Sequence, residues 1–97
     1  MPKGYVIFTE VIHDREAMDT YSQAAIPTIM GAGSNVLAAD QQPEVLEGEW
    51  HGNQTVVLEF ESVEAARDWY RSDEYQAAVP LRQAAADCNA VIISGFG

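Results

Sequence analysis

A chain of 97 residues with 47% hydrophobic content suits one globular domain spanning residues 1–97, without room for a second. Fifteen acidic residues face five basic ones, a formal charge of -10 that argues against nucleic acid and against an anionic membrane surface as partners. A single chain of this size buries only roughly 60–65% of its unfolded surface, so pairing with a second copy would supply core that one chain lacks.

Cys88 is the only cysteine, which excludes an internal disulfide and a cysteine metal cage. Met1-Pro2-Lys3-Gly4 leads directly into a strand pattern, so no signal peptide is expected. No apolar run approaches the roughly 20 residues of a membrane span, and the expected location is the cytoplasm.

Gly4 to Ile12 is rich in β-branched and aromatic residues and reads as the first strand. Tyr5, Ile7, Thr9 and Val11 form one face, and Val6, Phe8, Glu10 and Ile12 the other. Both are mostly apolar, so both call for cover. Asp14 then reads as a helix N-cap with Glu16 in the first turn. Met18, Tyr21, Ala25 and Ile29 follow at helical spacing. Pro27 predicts a kink or restart in that helix, and Gly31 and Gly33 its end.

Ser34–Ala39 and Glu44–Trp50 read as a second strand broken near Asp40-Gln-Gln-Pro43. His51-Gly-Asn-Gln54 carries the signal of a tight hairpin turn, with a third strand over Thr55–Glu61. Ser62 caps a second helix. Ser72, followed by Asp73 and Glu74, caps a short third one, which Pro80 limits or restarts. Cys88 to Phe96 reads as the last strand. The order is βαββαβ with an extra helical segment. It predicts an α+β, ferredoxin-like antiparallel sheet with its helices on one face. An aromatic seven residues beyond each main cap (Tyr21 after Asp14, Trp69 after Ser62) supports two matching halves. The other sheet face would be apolar and bare. Two copies packing these faces together would make a dimeric α+β barrel.

Tyr5-Val-Ile-Phe, Leu46-Glu-Gly-Glu-Trp50, Ala66 with Trp69-Tyr70-x-Ser72-x-x-Tyr75, and Arg82 together resemble the pattern of DUF1330, a short bacterial family. The resemblance covers nearly the whole chain. It implies a dimeric α+β barrel, in a superfamily that also holds small cofactor-free monooxygenases, haem-degrading enzymes and lactone isomerases. It implies no reaction. Asn35 and Ala39 stand where relatives often carry arginine, which puts an anion-binding role of those positions in doubt.

The candidate site combines Glu10, Glu47, Trp50, Tyr70, Ser72 and Arg82, placed between sheet and helices near the end of the first strand. Glu10 sits among apolar neighbours and is the candidate general acid or base, alone or with Glu59 on an adjacent strand. Trp50 and Tyr70 would wall a pocket for a flat ligand, or else belong to the core. Ser72 would free backbone N–H groups for an anion. Arg82 would hold a ligand carboxylate, or else pair with Glu10 or Glu47. Glu47 and Glu49 share a face if their segment is a strand. His13 and His51 lack partners at metal-ligand spacing. No phosphate loop or Ser-His-Asp set is present. Two functions follow. One is a small protein that binds or converts an aromatic or polar organic ligand without metal, nucleotide or other cofactor. The other is a non-catalytic dimeric assembly or regulatory module.

Overall fold

The computed structural model describes residues 2–97; Met1, where the reading of no leader begins, lies outside the described residues. The elements run β1 (Gly4–Ile12), α1 (Arg15–Gly31), β2 (Asn35–Asp40), β3 (Gln54–Phe60), α2 (Val63–Arg71), α3 (Asp73–Gln76), α4 (Val79–Ala85) and β4 (Ala86–Ser94). The sheet has four strands in the order β2-β3-β1-β4. All three neighbouring pairs are antiparallel. Strands joined by a helical crossover are thus separated by one other strand, which is the ferredoxin-like arrangement.

Residue alternation decides which face each side chain takes. Val6, Phe8 and Glu10 of β1 and Gln54, Leu58 and Phe60 of β3 are buried on the helical side. The helices meet them with Met18, Tyr21, Ala25 and Ile29 of α1, Ala66 and Trp69 of α2, Tyr75 of α3, and Val79 and Ala85 of α4. Each large apolar side chain buried here contributes roughly 1.5–3 kcal/mol. Tyr75 is fully buried, with its ring centroid 4.0 Å from that of Trp69 and 6.4 Å from that of Tyr21. The aromatics of the two halves therefore converge on one residue.

Local chemistry sets the ends. Asp14 accepts a hydrogen bond from Ala17 N, Ser62 from Ala65 N, and Ser72 from Tyr75 N, so each expected cap is made. Pro80 stands in the first turn of α4 and begins a new helix.

Three expectations give way. Pro27 does not restart the helix: α1 runs unbroken from Arg15 to Gly31. The carbonyl that proline leaves without a partner is that of Gln23, on the exposed side of the helix, where water can meet it. The second strand stops at Asp40, and Glu44–Trp50 is loop rather than strand. Asp40 Oδ1 accepts from Gln42 N at 2.8 Å, which turns the chain off the sheet edge. Pro43 follows, and Gly48 takes φ 73°. The segment then has no ladder to join. The last strand begins at Ala86, since its pairing with β1 extends to Ile12.

Candidate functional site

Glu10 lies opposite Gln54 on β3 and opposite Cys88 on β4, so the three form one row across the sheet. All three point to the helical side. Gln54 Nε2 donates to Glu10 Oε1 at 2.8 Å, and Cys88 Sγ donates to Glu10 Oε2 at 3.4 Å. The carboxyl group belongs to a residue only 2% exposed. The turn before β3 fixes its backbone. Asn53 N donates to Glu10 O at 2.8 Å, and Asn53 Oδ1 accepts from Ile12 N at 3.0 Å. Gly52 packs so closely on Glu10 that a Cβ there would run into its backbone. Gly52 also takes φ 93°. The glycine expected to serve a tight hairpin thus lets a loop press against β1.

A cavity of about 250 Å³ opens between α1 and the sheet. Phe8, Met18, Ile29, Val56 and Leu58 give it an apolar wall, and Glu10, Gln54 and Arg15 a polar end. Arg15 Nη1 reaches Gln54 Oε1 at 3.4 Å, which orients the amide toward Glu10. Tyr21 lines the same cavity and shares a 2.8 Å hydroxyl–hydroxyl hydrogen bond with Tyr75. Burial pushes both phenols above their ordinary range.

A second opening, a cleft of about 460 Å³, lies on the β4 side and is lined by Tyr70, Arg82, Gln83, Ala86, Asp87, Cys88 and Ala90. Arg82 is 5% exposed, with its guanidinium carbon 5.1 Å from the centre of the Phe8 ring. Burial, and next the Glu10 charge, push the Cys88 thiol up to about 11. The thiol therefore stays protonated at neutral pH and separates the Glu10 carboxylate from Arg82.

The six expected site residues do not share one pocket. Glu10 lines the α1 cavity; Tyr70 and Arg82 line the β4 cleft. Glu47 and Trp50 flank a surface hollow beside Pro43 and Leu46, because their segment left the sheet. Trp50 does not end a hairpin strand; its Nε1 donates to Thr55 Oγ1 at 2.9 Å, on the bare face of the sheet. Ser72 faces a groove between α1 and α2, and its hydroxyl is taken up by Trp69 O at 2.7 Å and Tyr75 N at 3.2 Å. The N–H group expected to meet an anion is thus capped by Ser72 itself. Among the described residues, Arg82 forms no ion pair with Glu10 or Glu47.

Glu59 cannot share a cavity with Glu10. It lies on the opposite face and accepts from Tyr5 Oη at 3.1 Å. Glu47 and Glu49 have no common strand face. His51 is half-buried and bonds Thr9 Oγ1 through Nδ1 at 2.8 Å. Gln54, Arg15 and Tyr21 were not among the expected site residues. The parity of the third strand offered a signal for Gln54: counting back by twos from Phe60 and Leu58 brings it to the core face.

The sheet order and the one-sided helical layer define a ferredoxin-like α+β domain. The chain belongs to the family described as Domain of unknown function (DUF1330), which it matches over residues 3–96. No curated protein matches the sequence. A protein of unknown function from Rhodopseudomonas palustris, RPA0582, superposes with TM-score 0.81 at 21% identity, over 99% of this chain and 84% of that one. SnoaB, a cofactor-independent oxygenase from Streptomyces nogalater, superposes with TM-score 0.69 at 6% identity, over 100% of this chain and 96% of that one. A dimeric protein of unknown function with a ferredoxin-like fold from Bacteroides fragilis reaches TM-score 0.63 at 13% identity, covering 95% of each chain. At these identities the likeness carries the fold.

Proposed function

We propose that this protein binds, and converts without metal, nucleotide or other cofactor, a small and mostly apolar organic molecule in the cavity between α1 and the sheet. One observation carries the reading: a buried carboxylate, Glu10, stands at the end of an apolar cavity of about 250 Å³. That volume lies below the drug-sized range of roughly 300–1,000 Å³, so the ligand is small, on the scale of one aromatic ring. Its polar group donates a hydrogen bond, as a phenol or enol does, because a carboxylate can only accept. Glu10 is then placed to take a proton from it. SnoaB, a cofactor-independent oxygenase of similar fold, supports this class of chemistry by analogy.

The functional unit in this reading is a homodimer; the dimeric protein from Bacteroides fragilis supports pairing by analogy, and the bare sheet face is the surface this chain offers for it. Among the described residues, no helix is long and apolar enough to cross a membrane. Cys88, a free thiol, suits the reducing cytoplasm. Nucleic acid and anionic membranes are not partners, given the formal charge of -10.

Titration with 4-methylphenol, followed by amide NMR, tests the reading. Saturable shifts at Glu10, Ile29 and Val56, weakened in Glu10→Gln, are expected. No saturable shift at these positions would sink the cavity as a ligand site and favour a packing or assembly role.

A further inference from the structure

We propose that the β4 cleft beside Arg82 is a separate binding site for a small monocarboxylate. Arg82 is 5% exposed, yet no carboxylate lies within ion-pair distance of it among the described residues. Its Nε is buried with no hydrogen-bond partner. Buried charges in proteins are ordinarily paired, and buried polar atoms hydrogen-bonded. The chain has fifteen acids and brings none of them onto this guanidinium. Its near neighbours are a phenyl ring, the Tyr75 phenol and the Cys88 thiol. Arg82 also lines an open cleft of about 460 Å³. An acceptor entering there would give the guanidinium the charge partner that the chain does not supply.

The surroundings select the ligand. A guanidinium and a carboxylate match in planar, two-pronged geometry. Asp87 stands on the rim and Glu10 behind Cys88, so one positive charge faces two negative ones. A single negative charge is tolerated there better than the double charge of phosphate. Polar atoms make up most of the cleft's lining, and Tyr70, Ala86 and Ala90 add only a small apolar patch, so the ligand is a compact carboxylate. The site shares no lining residue with the α1 cavity, although the Cys88–Glu10 hydrogen bond joins the two openings.

The test is a titration of the full chain with acetate, benzoate and inorganic phosphate at constant ionic strength, read at the Arg82 Nε–Hε signal and the amides from Ala86 to Ala90. Both carboxylates should give saturable shifts, and phosphate should bind more weakly than either. Gln83 is exposed on the cleft rim, so its charge can be changed without touching the core. Gln83→Glu should weaken benzoate about two- to fivefold, and Gln83→Lys should strengthen it by a similar factor. Shifts that never saturate, indifference to both Gln83 changes, or phosphate binding as tightly as benzoate would overturn the proposal. Binding of 4-methylphenol reads out at other residues, so the two sites stand or fall separately.

Discussion

Glu10 and Cys88 stand opposite each other on β1 and β4, and the thiol donates to the carboxylate at 3.4 Å. This contact divides the two openings of the interior. It also sets the chemistry of the chain's single thiol. Burial and the Glu10 charge raise Cys88 from 9.0 to about 11. Alkylation by iodoacetamide should therefore be slow near neutral pH and accelerate only as pH approaches 11. Glu10→Gln removes one of the two causes, so the same alkylation should accelerate several-fold at about pH 9. An unchanged rate would mean that Glu10 does not hold the thiol.

The same shift makes a claim about stability. A group that binds its proton more tightly when folded stabilises the fold below its unfolded value and loses that contribution as pH rises through the folded value. For Cys88 that window runs from 9.0 to about 11. Its share is on the order of 1 kcal/mol, because the thiol is partly open to solvent. Tyr21, raised mainly by burial, extends the loss above its ordinary value of 10.0. Urea midpoints should be level from about pH 7 to 9 and fall steadily above that. A flat profile up to about pH 11 would contradict both assignments.

The buried Tyr21–Tyr75 hydroxyl pair, 2.8 Å apart, invites a double-mutant cycle. Either tyrosine changed to phenylalanine leaves one buried hydroxyl without its partner, at a cost of about 1–3 kcal/mol. Changing both removes the pair together and should cost less than the two single losses added. Strict additivity in urea unfolding would show that the hydroxyls do not depend on each other.

The fold was legible wherever periodicity was strong. The two-sided apolar pattern of β1 marked a central strand, and Met18, Tyr21, Ala25 and Ile29 are the buried stripe of α1. Leu46-Glu-Gly-Glu-Trp50 alternates as a strand would, but alternation cannot show whether an edge is available to pair with. The Asp40–Gln42 turn removes that edge. The site was harder to read because it depends on register. Glu10 sits near the end of β1 and reads as a rim residue. Its burial follows from β4, which pairs with β1 as far as Ile12. Gln54 and Cys88, lying 44 and 78 positions from Glu10, become its neighbours only through that pairing.

Gly52 should tolerate no side chain. Alanine there meets a positive φ of 93° and the Glu10 backbone at once. Backbone strain alone costs on the order of 1–3 kcal/mol, and the chain must also move away from β1. Gly52→Ala should lower the melting temperature and disturb the amide signals of Glu10, Ile12 and Asn53 together. At Gly31, where an added Cβ meets nothing, the same substitution should be near neutral. Equal effects at the two glycines would refute the close approach.

The bare sheet face gives the last prediction. Val11, Val91 and Ile93 lie on it, 39%, 51% and 45% exposed, in the single chain. Apolar surface on a sheet is rarely left wet, and a second copy offers the same surface through a two-fold axis. The solution mass should be twice the 10.6 kDa of one chain. Each chain carries a formal charge of -10, so the two copies repel, and added salt should tighten the dimer by screening. Ile93→Glu places a carboxylate where the two faces meet, on both copies at once, and should give monomers with a lower melting temperature. Gln83→Glu adds the same charge on the helical side and should leave the mass unchanged. Sedimentation equilibrium at micromolar concentration decides. A wild-type mass of 10.6 kDa, or a dimer that survives Ile93→Glu, would reject this face as the interface.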